Sequence, residues 1–213
     1  MRVRGPYVIG LTGNIACGKS LVLRELQDLG AETFDADRVA HDVMRHGTDA
    51  WRAILQRFGE EIVGEDGEID RRKLGSIVFS DPTALRDLDH IVHPATVAAI
   101  RERVRVSSHE VAVIDAIKLF EAGLAADCDE VWVVDCSREQ QVERLVQRNN
   151  LTRDEALTRI DAQPPQAEKI ARADRVIDNS GDESSTVSAV RSLWNTLQHR
   201  LQEKPNLSQS PGS

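Results

Sequence analysis

Short apolar runs along the chain alternate with longer stretches in which apolar residues recur every three or four positions. The runs are rich in β-branched residues and predict five strands, at 7–12, 31–34, 111–115, 130–135 and 173–179. The longer stretches have the periodicity of helices that bury one face. Alternating strands and helices favour βαβ units, and near-continuous apolar strands are typical of a parallel sheet covered on both faces.

The predicted helices are unevenly distributed. After a first helix at 21–29, four helices follow without a convincing strand between them, at 38–45, 50–58, 71–79 and 82–106. They predict a helical insertion between two strands of the sheet. The dipeptide His93-Pro94 indicates a break in the last of these helices, on the side that faces a substrate.

The remaining helical segments complete the predicted organisation. Residues 138–172 are polar, Arg-rich and helical with an interruption at Pro164-Pro165, and 183–202 forms a closing helix. The chain therefore divides into a core made of 1–37, 107–136 and 173–203, a helical unit at 38–106 and a smaller one at 137–172. The low hydrophobicity of 204–213 predicts a disordered tail.

Composition narrows the possible settings. The 213 residues are 40% apolar, enough for one α/β core with a smaller inserted unit. A net charge of −8 argues against nucleic acid or a membrane surface as the main partner. The longest apolar run is far short of the roughly 20 residues that a membrane span needs, and the first residues do not resemble a signal peptide. Cys17, Cys128 and Cys136 form no C-x-x-C pair, which fits a reduced, cytoplasmic protein.

One motif carries most of the functional information. Residues 13–20 read GNIACGKS and match G-x-x-x-x-G-K-[ST] at every fixed position, between a predicted strand and a predicted helix. Gly13 and Gly18 allow a tight turn and a close approach to an oxygen-rich ligand. The backbone amides of 14–20 are expected to converge on phosphate at the helix N-terminus. Lys19 adds a mobile positive charge, and the Ser20 hydroxyl is the expected Mg²⁺ ligand. The chain is predicted to bind a nucleoside triphosphate.

Two acidic residues follow the second predicted strand. Asp35 and Asp37 lie two positions apart, so on an extended segment their side chains point the same way. At the carboxyl end of a parallel strand they would face the same crevice as the loop. One carboxylate could take or orient the proton of a substrate hydroxyl while the other caps the next helix or reaches a water on Mg²⁺. The alternative is that both only cap the helix.

Basic residues are spaced along the helix that begins near residue 137. Gln140, Arg144 and Arg148 share one helix face, and a mobile Arg pair can stabilise the charge that develops in phosphoryl transfer. The alternative is a solvated face whose charges pair with neighbouring glutamates. Asp115, at another strand end, fits equally well as a second acidic group near Mg²⁺ or as a cap for the turn that follows. The lack of an Asn-Lys-x-Asp element after a late strand disfavours a GTPase.

These features, in this order and spacing, resemble the dephospho-CoA kinase family. The stretches that carry the resemblance are IGLTGNIACGKS (9–20), DADRVAH (35–41), DGEIDRRKLGSIVF (66–79), HP (93–94), LFEAGL (119–124), CDEVWVVDCSREQQVERLVQRN (128–149), RIDAQPP (159–165) and ADRVIDNSG (173–181). Each is weak alone, but together they run through nearly the whole chain.

The resemblance implies an α/β fold of the three-layer P-loop NTPase type, similar to nucleotide kinases. It would have a parallel five-stranded sheet, a helical substrate-binding insertion at 38–106 and a small helical lid at 137–172. The implied reaction transfers the γ-phosphoryl group of ATP, with Mg²⁺, to the ribose 3′-hydroxyl of dephospho-CoA, giving CoA and ADP. The implied enzyme is a cytoplasmic monomer or weak homo-oligomer.

The resemblance also implies a set of site residues. ATP would be bound by Gly13, Asn14, Ile15, Ala16, Cys17, Gly18, Lys19, Ser20, Leu21, Arg144, Arg148 and Asn179, the last in the segment that borders adenine. The acceptor would contact Asp35, Asp37, Asp70, Arg71, His93 and Lys118. Asp37, Asp35, Lys19 and Arg144 would form the catalytic set, with Asp37 preferred as the group that activates the 3′-hydroxyl.

The chain departs from the family pattern at a few positions. Asn14, Cys17 and Leu21 stand where Gly, Ser and Thr are common, and these changes leave the backbone amides and the Ser20 hydroxyl in place. Ile117-Lys118 replaces the usual Pro-Leu, which puts a new cation beside the crevice. Lys118 could contact a phosphate of either substrate or turn outward. Two other hypotheses stay open on the residues alone: a kinase for another small-molecule acceptor, and a nucleotide-binding module without catalysis.

Overall fold

The structure is a computed structural model and describes residues 5–203. The strands are β1 (Tyr7–Thr12), β2 (Glu32–Asp35), β3 (Val111–Asp115), β4 (Glu130–Asp135) and β5 (Arg175–Asp178). The helices are α1 (Lys19–Asp28), α2 (Ala36–Val43), α3 (Asp49–Phe58), α4 (Arg71–Ser80), α5 (Pro82–Val106), α6 (Arg138–Asn149), α7 (Arg153–Asp161), α8 (Gln166–Ile170) and α9 (Glu183–Glu203). Short 3-10 turns lie at Glu60–Ile62 and Leu124–Asp127.

The five strands form one parallel sheet in the order β2-β3-β1-β4-β5. The predicted parallel five-stranded sheet is confirmed. β1, β3 and β4 are buried on both faces, which explains why their sequences are continuous apolar runs and do not alternate. Because the strands are parallel, all their carboxyl ends lie at one edge, and ligands of open α/β sheets bind there.

Four apolar clusters hold the elements together. One, around Trp132 and Leu26, joins one face of the sheet to α1 and α9. A second, around Ile114 and Leu119, joins the other face to α2 and α5. The α3–α5 unit has its own cluster around Ile54, and α6 and α7 form a fourth with part of the phosphate loop. The second cluster packs α2 and α5 of the 38–106 segment directly onto the sheet, and the predicted division into a core and two helical units stays a prediction. The predicted tail at 204–213 lies outside the described residues.

Several element boundaries differ from the predicted ones by one or two residues, and two of these shifts have a clear local cause. β2 begins after Ala31, because the Ala31 amide still donates to the carbonyl of Leu26 at the end of α1. α2 begins at Ala36, two residues earlier than predicted, because the Asp35 carboxylate caps its first turn. The predicted break at His93-Pro94 is wrong: α5 runs through Pro94 as one helix of 25 residues.

Candidate active site

The phosphate loop joins β1 to α1 at the carboxyl edge of the sheet. Gly18 has a φ of 91°, and a Cβ there would collide with the amide of Asn179. Only glycine therefore fits both the backbone angle and the space. Gly18 is also the N-cap of α1, and no side chain caps this helix. The first amides of α1 are thus left for an external acceptor, as an anion site at a helix N-terminus requires.

The second half of the loop is held from outside by hydrogen bonds to its carbonyl groups. The buried Asn179 side chain donates to the Cys17 carbonyl (2.8 Å) and accepts from the Thr186 hydroxyl (2.8 Å). Arg144 donates to the Ala16 carbonyl (3.2 Å) and to the Asn179 carbonyl (2.9 Å). Because these contacts bind carbonyl oxygens, the amides of 18–20 remain available to phosphate, whereas the Cys17 amide donates to the Asn14 carbonyl (3.2 Å). The structure therefore brings two predicted ATP-site residues, Arg144 and Asn179, directly onto the loop.

The first half of the loop behaves differently, and here one expectation was wrong. The amides of Asn14 and Ile15 do not converge with the others, because the side-chain oxygens of Gln166 and Gln163 accept from them at 3.0 and 2.7 Å. The Asn14 side chain in turn donates to the Pro164 carbonyl (3.0 Å). Residues 14 and 15 are therefore bound to the segment between α7 and α8, which leaves only the later amides of the loop for phosphate.

Lys19 lies over the carboxyl end of β3. Its ammonium nitrogen is 3.7 Å from a carboxylate oxygen of Asp115. Burial raises the pKa of Asp115, Lys19 opposes that shift, and the charges of Asp35 and Asp37 add to it. Asp35 is paired in register with Asp115 at the carboxyl ends of β2 and β3, and Lys19 reaches Asp115 from the loop, so these groups face one crevice. Of the two readings of Asp115, the acidic position near the phosphates fits this geometry.

Asp35 and Asp37 take separate roles because α2 begins between them. The Asp35 carboxylate accepts from the backbone amides of Asp37 (2.9 Å) and Arg38 (3.1 Å), so it caps α2. The expectation that both carboxylates lie side by side on an extended segment was wrong, since Asp37 is in the first helical turn. Asp37 is exposed and makes no ion pair within residues 5–203. Its carboxylate is free to meet a substrate hydroxyl.

Asp37 lines a cavity of about 280 Å³ together with His93, Lys118 and Gln163. The cavity lies between α2, α5, the segment after β3 and the segment after α7. Three residues predicted from separate parts of the sequence to contact the acceptor are therefore brought to one place. Its apolar lining includes Ala36, Ala40, Val97, Ala116, Ile117, Ala122 and Leu124. An apolar cavity with a few polar groups is the usual form of a small-molecule site.

The helical unit contains a larger groove of about 670 Å³ on the other side of α2. Arg71 lines it and donates to the His41 ring nitrogen (2.8 Å). The Asp70 carboxylate instead caps α4, accepting from the amides of Arg72 (2.9 Å) and Lys73 (3.2 Å). The groove combines cations with an apolar floor and an 85% exposed Phe79. Arg71 is thus placed for ligand contact, while the Asp70 side chain serves the helix.

The remaining Arg of the predicted pair is more distant from the loop backbone. Arg148 is exposed and donates only to the neighbouring Asn149 side chain (3.1 Å) within the described part of the chain. Gln140 completes the capping box of α6 and donates to the Ser180 carbonyl (2.7 Å). Glu139 pairs with Arg153, and within the described residues neither Arg144 nor Arg148 pairs with Glu139 or Glu143, so the alternative in which these arginines pair with neighbouring glutamates is wrong.

Sequence reasoning missed the glutamines that hold the loop. Gln163 and Gln166 flank the Pro164-Pro165 pair, and Gln141 donates to the Ile15 carbonyl (3.0 Å). Glutamine carries no chemical signature of its own. The only available signal was two glutamines on either side of a proline pair that interrupts a helical segment.

Known proteins resemble this chain over most of its length. The family model for dephospho-CoA kinase matches residues 7–185. The chain belongs to the dephospho-CoA kinase family. It is 47% identical over 182 residues to a dephospho-CoA kinase of Carboxydothermus hydrogenoformans, covering 84% of this chain and 88% of that one. The match includes the loop, α2 and the α6–α8 segment, which contain the residues described above.

Solved structures show the same fold. A crystal structure of a Thermus thermophilus protein superposes with a TM-score of 0.76 at 32% identity, covering 91% of this chain and 99% of that one. Dephospho-CoA kinase from Campylobacter jejuni superposes with a TM-score of 0.69 at 27% identity, covering 89% and 96%. The fold predicted from the family resemblance is confirmed.

Proposed function

We propose that this chain phosphorylates the ribose 3′-hydroxyl of dephospho-CoA with ATP, giving CoA and ADP. The observation that carries the proposal is the shared crevice of Lys19 and Asp37. Lys19 lies 3.7 Å from the half-buried Asp115, and Asp37 lies in the helix turn that follows Asp35, the register partner of Asp115. A phosphate-binding loop and a free carboxylate beside an acceptor-sized cavity are the parts that a kinase for a small alcohol needs. Family membership gives the acceptor as dephospho-CoA.

The donor half of the reaction takes place at the phosphate loop. The late amides of 13–20 and the Lys19 ammonium bind the phosphates of ATP. The residues fit an accompanying Mg²⁺, since the exposed Ser20 hydroxyl lies at the uncapped start of α1. Mg²⁺ bound there would neutralise phosphate charge. Leu21 follows Ser20 in the first turn of α1 and has no polar side-chain group to offer the nucleotide.

The acceptor half takes place at Asp37. The ribose oxygen forms a bond to the γ-phosphorus while the bond from that phosphorus to the β,γ-bridging oxygen breaks. The proton of the 3′-hydroxyl passes to the Asp37 carboxylate, and ADP leaves with its added negative charge beside Lys19. Asp35 supports this step indirectly, because its cap fixes the first turn of α2 on which Asp37 lies.

The lid contributes positive charge at the phosphates. Arg144 is already fixed over the loop by its two carbonyl contacts, and Arg148 lies one turn later on the same helix face. We assign Arg144 to the developing charge of the transferred group and Arg148 to a later contact that requires lid movement. Asn179 directly follows β5, and the adenine of ATP would lie beside this segment.

The acceptor extends from the smaller cavity into the larger groove. His93 and Lys118 line the cavity at Asp37, where they would contact the adenosine end. Arg71 lies in the groove on the far side of α2, where cations and an apolar floor suit a diphosphate and its uncharged arm. The Asp70 cap holds the start of α4 and with it Arg71.

The cellular setting belongs to the same proposal. All three cysteines are free thiols, which is typical of a reducing compartment such as the cytoplasm. No helix within residues 5–203 is long and apolar enough to cross a membrane. We expect a monomer or a weak homo-oligomer, since the site is formed by residues of one chain.

The direct test measures ADP release from Mg-ATP with and without dephospho-CoA, together with the mass of the product. ADP formed only with dephospho-CoA, and a product one phosphate heavier at the 3′ position, is the expected result. Asp37→Asn should lower kcat by roughly 10²–10⁴, the usual worth of a general base. ATP binding without that product would mean another acceptor. An unchanged rate in Asp37→Asn would remove Asp37 from the chemistry.

A further inference from the structure

The segment between α7 and α8 contacts two sites at once. Gln163 accepts a hydrogen bond from the Ile15 amide (2.7 Å) in the phosphate loop. The same side chain lines the 280 Å³ cavity that contains Asp37 and Lys118. The Gln163 side chain therefore lies between the phosphate loop and the acceptor cavity and borders both.

The chemistry of this contact fixes the orientation of the Gln163 amide. A backbone N–H can only donate, so the oxygen Oε1 must face Ile15. The nitrogen Nε2 then remains, and within residues 5–203 it donates to no other group. The Gln163 side chain is half-buried. With Oε1 bound to Ile15, its Nε2 can donate to a ligand in the cavity that the side chain lines.

Gln166, three residues later, makes a similar loop contact but a different second contact. Its Oε1 accepts from the Asn14 amide (3.0 Å), and its Nε2 donates to the Val134 carbonyl at the end of β4 (2.9 Å). Both of its groups are thus bound within the protein, and Gln166 is not part of the cavity lining. It fixes the loop to the sheet whether or not an acceptor is bound.

We propose that Gln163 is a positioning residue that couples acceptor binding to the conformation of the phosphate loop. An acceptor in the cavity accepts a hydrogen bond from Nε2 of Gln163 and so restrains that side chain. The restrained oxygen then restrains Ile15, and with it the first half of the loop that binds ATP. This inference rests on the proposed function, because it requires the acceptor to occupy that cavity.

Coupling of this kind is reciprocal. If dephospho-CoA tightens the binding of ATP, ATP must tighten the binding of dephospho-CoA by the same factor. Coupling between sites is typically about 5–150-fold. A single hydrogen bond on each side of one side chain places the expected factor near the lower end, roughly 5- to 10-fold.

The experiment measures the Kd of a non-hydrolysable ATP analogue by calorimetry, with and without saturating dephospho-CoA. In the unaltered protein dephospho-CoA should tighten the analogue by roughly 5- to 10-fold. In Gln163→Leu the factor should fall to about one, since neither hydrogen bond can form. Retention of the full factor in a folded Gln163→Leu protein would overturn the proposal, as would a factor of one in the unaltered protein.

Gln166→Leu is the matched control. It also loses a hydrogen bond to a loop amide, so it should weaken the analogue in the presence and absence of dephospho-CoA alike, with the coupling factor preserved. If both variants lose the factor equally, the effect is general loosening of the loop, and Gln163 has no special role. Gln163→Glu keeps an acceptor for Ile15 but loses the donor. Its added negative charge beside the loop should weaken the analogue with and without dephospho-CoA, and the coupling factor should still fall to about one.

Two further measurements keep the result interpretable. Melting temperatures identify a variant that fails to fold, in which case Gln163→Glu, with a side chain of the same size, decides the question. Turnover of dephospho-CoA by the unaltered protein tests the proposed function separately. Turnover together with uncoupled binding would reject only the role of Gln163, whereas absence of turnover would reject the proposed function and the coupling with it.

Discussion

The donor and acceptor sides of the crevice are built in opposite ways. On the donor side, the carbonyl groups of the phosphate loop are bound by Arg144 and by the buried Asn179. On the acceptor side, Asp37, Arg38 and Lys118 are exposed and form no ion pairs within the described residues. The donor side is therefore organised before any ligand arrives, while the acceptor side depends on the substrate for its partners.

This difference follows from what each side must bind. A loop that presents amides to phosphate has to hold a strained backbone, such as Ala16 at a φ of 60°, and that needs surrounding contacts. An anionic acceptor instead needs cations that are not already neutralised by the protein. In a chain with a net charge of −8, Lys118 in the cavity and Arg38 in the groove, which form no ion pair within the described residues, are local exceptions to the overall charge.

The largest loss is expected at the centre of the donor side. Lys19→Ala should reduce turnover to background, because the ammonium meets the charge that develops on the phosphates during transfer. The Kd of ATP should change far less than kcat, which separates catalysis from binding. Rapid-quench measurement of one turnover checks this, and a loss confined to ATP binding would contradict it.

Arg144→Ala should cost on the order of 10³ in rate, by analogy with arginine fingers. Arg144 also holds the Ala16 and Asn179 carbonyls, so the Kd of ATP should rise as well. Arg144→Lys is the control: it keeps the charge but cannot make both contacts, and it should recover little. Steady-state kinetics measure the effect, and a mild loss would show that the lid does not act on the transferred group.

Asp115→Asn tests the point where the two sides meet. Burial raises the pKa of Asp115, so folding favours its protonated form and the carboxylate costs stability at pH values above its folded pKa. The variant should therefore melt higher than the unaltered protein near neutral pH, and the gap should narrow as the pH falls through that pKa. Since Lys19 loses its partner, kcat should fall. Scanning fluorimetry from neutral pH down into the acid range measures the first effect, and a lower melting temperature at neutral pH would refute it.

The smallest effect is expected on the acceptor side. Lys118→Ala removes one exposed cation and should raise the KM for dephospho-CoA several-fold with little change in kcat, because contacts of exposed charges are worth about 1 kcal/mol or less. Lys118→Arg should retain most of the affinity. Steady-state kinetics at two salt concentrations check this. An equal loss in kcat would place Lys118 on the donor phosphates instead, and the contrast between the two sides would weaken.

The elements of the fold were predictable because their signals are local. The strands over 111–115 and 130–135 have the predicted bounds in the structure, since a buried parallel strand needs an apolar run and little else. The loop was equally predictable, as its glycines and Lys19 are required by geometry and charge. Boundaries moved where a side chain decides them, as at Asp35, whose cap starts α2 earlier than the periodicity suggests.

The supports of the site could not be predicted in the same way. Gln163 and Asn179 contact the loop across 148 and 162 residues of sequence, and no local pattern records a partner at that distance. The spacing of Asp35 and Asp37 was misleading for a related reason. Side chains two residues apart point the same way in a strand but not across the start of a helix. Here the cap by Asp35 decides which case applies.

The bond from Asn179 to the Cys17 carbonyl has a consequence for how the protein is made. Gly18 is synthesised early, but the amide packed against it arrives only with β5, and Thr186, which holds that amide, arrives later still. A ribosome adds residues in order, so the emerging chain carries its nucleotide loop for most of its synthesis without this support. The loop therefore reaches the geometry described here only when the chain is nearly complete.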